Sequence, residues 1–205
     1  MTISRVLNEN GIYSYSKKKK PKLTKIQKIK RKKFCEKYLF FTIEDWSEVL
    51  FTDESPFLLY SKNGNQKVWR TKGTELEENN IQTMIKHGPK INIWASMSYE
   101  GVGSIHLING IMDSIQYAKI LDKYLRNDGI QLCGESFILM QDNDPKHNSR
   151  LVSNWLDDHL IPALDWPPNS PDLNPIENLF SFIKKELKKI EISNSKDLWE
   201  KVQDL

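Results

Sequence analysis

Apolar and polar positions alternate along this chain with two different periods, and the changes of period mark out its elements. Trp46 to Thr52 reads as an extended run. Phe57 to Ser61 and Gln66 to Arg70 read as two more, set around Asn63-Gly64, a dipeptide that favours a tight hairpin turn. Ile91 to Met97 forms another strand, joined through Gly101 and Gly103 to Ser104 to Ile108. The period then lengthens: Ile115, Ala118, Leu121, Tyr124 and Leu125 recur at helical spacing and predict a helix over about 114–126. Ser136 to Met140 is short and continuously apolar, as a strand covered on both faces would be. A helix over about 149–158 and a short strand at Ile161 to Leu164 follow. Ile176, Leu179, Phe180, Ile183, Leu187 and Ile190 make one helical stripe, and Lys196 to Leu205 is a last amphipathic stretch. Strands first, then helix and strand in alternation, predict an α/β fold around a mixed sheet.

The first 40 residues differ in kind. Thr2 to Asn10 has a helical pattern through Ile3, Val6 and Leu7, closed by Gly11. A second helix starts after Thr24, a good N-cap, with Ile26, Ile29, Lys33 and Phe34 on successive turns, a narrow apolar face and basic residues on its other faces, and is expected to link the basic arm to the domain that follows. Residues 1–40 hold 13 Lys and Arg against 2 Asp and Glu, a net of +11, which leaves −8 for the rest of a chain whose total is +3. A basic arm of this density, with Lys17, Lys18, Lys19, Lys20, Lys22, Lys30, Arg31, Lys32 and Lys33, suits phosphate neutralisation, and also suits a nuclear-localisation signal or a solvated charged tail. The expected division is therefore a basic, DNA-binding arm at 1–40 and a separate folded domain at 41–205, the candidate for any catalytic chemistry.

Three acids fall where such a fold could aim them. Asp53 lies near the end of the first strand, Asp142 just past the carboxyl end of the run ending at Met140, and Glu177 in the first turn of the striped helix. Carboxylates delivered from separate elements are what a two-metal phosphoryl-transfer site requires, because the cations hold both the attacking and the leaving oxygen. Mg2+ prefers oxygen ligands and takes only a few from protein. Each acid also has a plainer reading. Asn174-Pro175-Ile176-Glu177 suits a capping box, Asp142 to Pro145 suits a turn, Asp53 suits a solvated strand end, and Glu54 could replace Asp53. His147 suits either a phosphate or water contact or a polar turn.

The segments FTDESPF (51–57), QDNDPKHNS (141–149) and WPPNSPDLNPIEN (166–178) resemble the signature segments of mariner-superfamily cut-and-paste DNA transposases. They resemble the branch whose catalytic triad is Asp-Asp-Glu with 34 residues between the second Asp and the Glu, the number that separates Asp142 from Glu177. The resemblance implies a ribonuclease-H-like domain in which Asp53, Asp142 and Glu177 bind two Mg2+ or Mn2+ ions. It implies cleavage of transposon ends and their transfer into target DNA, with transposon inverted repeats and target duplex as partners, a homodimer, and a nuclear location. The amino-terminal helix would then be the end of a second helix-turn-helix unit, with Ser4, Arg5 and Asn8 facing DNA. The first such unit has no counterpart, so the expectation is an amino-terminally truncated copy. Two alternatives stay open: a remnant that binds DNA without cutting it, and a metal-dependent nuclease of the same fold.

Composition narrows the classes further. Cys35 and Cys133 make no metal-ligand or disulfide pattern, and no apolar run approaches the roughly 20 residues of a membrane span. The remaining histidines, His87, His106 and His159, have no partner pattern that suggests zinc.

Overall fold

The computed structural model describes residues 3–13, 22–59 and 89–205. Helix α1 spans Ile3–Glu9 and α2 spans Lys25–Lys37. Thr24 caps α2 as its sequence suggests, its hydroxyl accepting from the Gln27 N–H while the Gln27 side chain returns to the Thr24 N–H. A short helix α3, Ile43–Ser47, leads into strand β1, Val49–Leu58, which is followed by β2 (Lys90–Met97) and β3 (Val102–Ile108). Helix α4, Ser114–Ile120, passes through a π-helical turn at Leu121–Leu125 into α5, Arg126–Cys133. The order closes with β4 (Ile138–Met140), α6 (Arg150–Asp158), α7 (Ile176–Leu187) and α8 (Ser195–Gln203).

The four strands lie in the order β3-β2-β1-β4. β1 runs antiparallel to β2 and parallel to β4, so the sheet is mixed as expected. Period-two alternation sends successive β1 side chains to opposite faces. On one face Leu50 and Trp94 pack with Tyr117, Leu121, Leu125, Val152 and Leu156. On the other, Phe57, Ile93 and Ala95 pack with Ile176, Phe180, Ile183 and Leu198. The result is a sheet between two helical layers: α4, α5 and α6 on one side, α7 and α8 on the other.

Several boundaries differ from the sequence reading. Trp46 and Ser47 belong to α3, because Thr42 and Asp45 form a capping box that starts a helical turn there. β1 therefore begins later and runs on through Phe57, which places Asp53 in mid-strand. The helix over 114–126 continues to Cys133, carried past its expected end by the π-helical turn. Gly129 makes that extension possible, since a Cβ there would land on the Phe137 ring. The strand at Ile161 to Leu164 reduces to one parallel bridge between Leu139 and Ala163. The hairpin around Asn63-Gly64 lies outside the described residues.

Helix α2 is not a free linker. Phe34 is buried among Val49, Met140 and Trp166, with its ring edge-on to Trp166 at 5.0 Å. Arg31 grips the segment that precedes α7: its guanidinium donates to both carboxylate oxygens of Asp172 at 2.9 and 2.7 Å, to Ser170 Oγ at 2.7 Å and to the Asn169 carbonyl. Among the described residues no helix is long and apolar enough to cross a membrane.

Asp128 ties α5 to the sheet. Its carboxylate accepts from Ser96 Oγ, the Ser104 N–H and Ser104 Oγ at 2.5, 2.9 and 2.8 Å, all in or near the interior. Asp128→Ala strands these donors and is expected to cost about 2 to 3 kcal/mol. The check is the urea unfolding midpoint, which should fall with the slope unchanged.

Candidate active site

The parallel register of β1 on β4 builds the centre of the site. Phe51 pairs with Met140. Asp53 and Asp142 each lie two residues beyond this last pair, Asp53 within β1 and Asp142 just past the end of β4, and they line the same cleft. Thr52 reinforces the join by donating its hydroxyl to the Met140 carbonyl at 3.0 Å.

Glu177 arrives from the layer that covers this face of the sheet. Asn174 fixes the start of α7: its side-chain carbonyl accepts from the Ile176 N–H, and its amide Nδ2 donates to Asp53 Oδ2 at 2.9 Å. Asn174 is thus both a helix-start residue and a direct tie between the first aspartate and the helix of the glutamate, a role its N-cap reading did not reveal. Its own N–H bonds the Pro171 carbonyl, so Glu177 does not close a capping box. Asp53, Asp142 and Glu177 instead line one cleft of about 510 Å³, together with Gln27 of α2. Two turns along α7, Lys184 donates to Ser55 Oγ at 2.6 Å; burial lowers its pKa, and the charges of Glu177 and Asp53 oppose that.

The charges are unevenly compensated. Burial, followed by the negative charges of Glu54, Asp142 and Glu177, pushes the Asp53 carboxyl up to about 7, against the pull of the Glu54 N–H. Burial also acts to raise Asp142, but hydrogen bonds from His147 and the Asp144 N–H, with the charges of His147 and Lys146, hold it below the usual range. Asp53 is therefore the group with most to gain from a cation.

His147 is 2 % exposed and packs against protein partners. Its Nδ1 lies 2.8 Å from Asp142 Oδ1 and its Nε2 3.0 Å from Glu54 Oε1, while its ring rests on Tyr117 at 4.1 Å. Burial lowers its pKa, but the two carboxylates raise it to about 9 overall. The imidazolium so formed holds one oxygen of Asp142 and leaves the other toward the cleft. Glu54 faces the opposite side of the sheet from Asp53 and is bound by Lys146 at 3.0 Å as well as by His147, so it does not stand in for Asp53.

A family model described as DDE superfamily endonuclease matches residues 48–199, which include all three acids, and a transposase helix-turn-helix model matches residues 1–40. The chain belongs to the DDE superfamily of endonucleases. Within it, the chain groups with Tc1/mariner transposases. It is 31% identical over 205 residues to the transposable element Tcb2 transposase of Caenorhabditis briggsae, covering all of this chain and 75% of that protein. It is 33% identical over 195 residues to the Tc1 transposase of Caenorhabditis elegans, covering 95% of this chain and 71% of that one.

Among solved structures, the mariner Mos1 paired end complex with Mg matches with a TM-score of 0.80 at 20% identity, over 98% of this chain and 61% of that one. The Mos1 strand transfer complex matches with a TM-score of 0.75 at 19% identity, over 98% and 60%. The chain thus spans about three fifths of these Mos1 chains. The likeness is one of fold, and the fold is ribonuclease-H-like.

Among the described residues, no lysine or arginine of the basic arm lines the carboxylate cleft itself. Arg5 pairs with Glu9 across one turn of α1 at 3.1 Å. Lys22, Lys30, Lys32 and Lys33 are exposed, with Lys32 paired to Glu36 at 3.4 Å. Arg31 departs from the expectation of a free phosphate contact, since its guanidinium is engaged by Asp172 and Ser170. Lys17 to Lys20 lie outside the described residues.

Protonation ties the site to stability. A carboxyl with a folded-state pKa of about 7 against an ordinary 3.8 holds its proton more tightly when folded, so the contribution of Asp53 to stability falls between about pH 4 and 7. For His147, raised to about 9 from 6.5, the contribution is complete below pH 6.5 and lost between 6.5 and 9. In EDTA the thermal midpoint is expected to fall steadily from about pH 5 to 9. Asp53→Asn should flatten the lower half of that fall and His147→Gln the upper half; a flat wild-type profile would contradict both assignments.

Proposed function

We propose that the chain cuts DNA at a transposon end and joins the freed end to target DNA, using two divalent cations, Mg2+ or Mn2+. The observation that carries this reading is that Asp53 and Asp142, each two residues beyond the Phe51–Met140 pair, share one cleft with Glu177, with Asp53 half-buried and its carboxyl raised by burial and the neighbouring negative charges. Among the described residues, no group of three or more His, Cys, Asp and Glu stands close enough together to hold a metal ion by itself. An open set of carboxylates suits Mg2+, which keeps several waters and takes one or two carboxylates plus substrate phosphate.

Asp53 and Asp142 would hold the cations together, with Glu177 completing the second position. When bound, the cations lower the pKa of water and neutralise charge developing on the phosphate oxygens. Asn174 and His147 keep Asp53 and Asp142 turned toward the cleft. In the first step a water oxygen attacks the scissile phosphorus, the P–O bond to the strand's 3′ oxygen breaks, and that oxygen leaves as a 3′ hydroxyl. In the second step this hydroxyl oxygen attacks a target phosphorus, a new phosphodiester forms, and the displaced target 3′ oxygen takes the proton. The two steps are the same displacement with different nucleophiles, so one carboxylate set serves both.

The exposed cations of the amino-terminal arm, Arg5, Lys22, Lys30, Lys32 and Lys33 with the run Lys17 to Lys20, would neutralise phosphates of the transposon inverted repeats and the target duplex. The lysine runs also suit nuclear import. Two ends joined to one target call for two such sites, hence a homodimer; the paired end complexes of Mos1 are consistent with that arrangement.

Purified protein is expected to nick supercoiled plasmid with Mg2+ or Mn2+ and not with EDTA. Asp142→Ala should lower the rate at least about 100-fold, more than the loss typical of an outer-shell partner. Nicking untouched by Asp142→Ala would refute the assignment, and nicking without any joined product would leave a nuclease.

A further inference from the structure

A second groove adjoins the carboxylate cleft and shares a wall with it. Asn143, Trp166, Pro167 and Pro168 line both. The far wall of the second groove is α2, which presents Lys30, Lys33 and Lys37 to it across a hollow of about 490 Å³. These lysines stand at i, i+3 and i+7, one stripe of the helix, on the same side as Phe34. Phe34, buried against Trp166, and Arg31, bonded to Asp172, hold α2 so that this stripe faces the groove.

The three ammonium groups are exposed, and among the described residues none of them forms an ion pair. Lys37 also lies over the Tyr38 ring at 5.0 Å. Asp165 is the acid lining the groove. The polarity thus changes across the shared wall: carboxylates on one side, three lysines against the single carboxylate of Asp165 on the other. A rise of 1.5 Å per residue spreads the lysines over about 10 Å, against about 3.4 Å between successive phosphates of one strand along a duplex. The stripe therefore spans about three phosphates.

We infer that this groove is a backbone track: it takes the sugar-phosphate strand of DNA of any sequence as that DNA leaves the carboxylate cleft. Lysines reading phosphates carry position without sequence information, so the track fixes where the scissile bond lies and does not choose it. The inference rests on the proposed reaction for its direction, while its binding test needs no catalysis. It gives α2 a part in the active centre, where its sequence pattern suggested a connector, and it adds Lys37 to the residues that contact DNA.

The test is the binding of a 30-base-pair duplex of arbitrary sequence in EDTA over a range of salt. It compares the wild type, the triple variant Lys30→Ala, Lys33→Ala, Lys37→Ala, and a back-face double variant, Lys25→Ala with Lys28→Ala. Each groove lysine is expected to reduce the slope of log K against log salt by about 0.9, which at 0.15 M salt is about fivefold in affinity. The triple variant should therefore bind about 100-fold more weakly, with an unchanged unfolding midpoint. In plasmid nicking it should raise KM. Equal loss per lysine from the back face, or an unchanged slope in the triple variant, would overturn the track. If the folded wild type binds with this slope but never nicks, the reaction is refuted and the track survives.

Discussion

The parallel pairing of β1 with β4 is the constraint on which the rest depends. It is short, since β4 spans only Ile138–Met140, yet it decides the site because both aspartates lie two residues beyond its last pair. A slip of one residue would turn one aspartate to the opposite face of the sheet. The core guards against that slip: Leu50 and Leu139 fill one face, while Val49, Phe51 and Met140 fill pockets with Phe34 and Trp166. The hydrophobic packing that stabilises the fold is therefore the same packing that sets the spacing of the carboxylates.

Around that pairing, each acid has its own support. Asp142 is held by His147, which is backed by Glu54 from across the sheet and by the Tyr117 ring. Asp53 is held by Asn174, which also starts α7 and so sets the azimuth of Glu177. Arg31 grips the segment just before Asn174, tying the basic helix to the same corner. The second layer is thus asymmetric: Asp142 has protonated neighbours that neutralise it, while Asp53 has a neutral amide and nearby negative charge. Asp53 is the carboxylate that burial and repulsion leave most in need of a cation.

Much of this was legible in the residues. The strand ending at Met140, the helical stripe from Ile176 and the Thr24 cap all reflect local physics and appear where expected, although the strand expected from Ser136 begins only at Ile138. The three candidate carboxylates stood out because the segments around them are distinctive. What stayed hidden required tertiary contacts. No local signal shows that α2 docks on Trp166 or that Arg31 meets Asp172, because those partners are more than 130 residues apart. His147 was ambiguous because burial, not its neighbours in sequence, excludes solvent contact. The end of the helix at Cys133 was missed because a π-helical turn shifts the hydrophobic phase and breaks the simple period. Glu54 and Asp53 looked interchangeable until the strand was known to have opposite environments on its two faces.

The most direct test is an anomalous-scattering map from crystals soaked in Mn2+. The expected result is Mn2+ density between the carboxylates of Asp53 and Asp142, with Glu177 beside a second position in the same cleft. Mn2+ held instead by Glu54 and Asp144, or no density at the two aspartates at saturating metal, would contradict the claim that the β1–β4 register builds the catalytic centre.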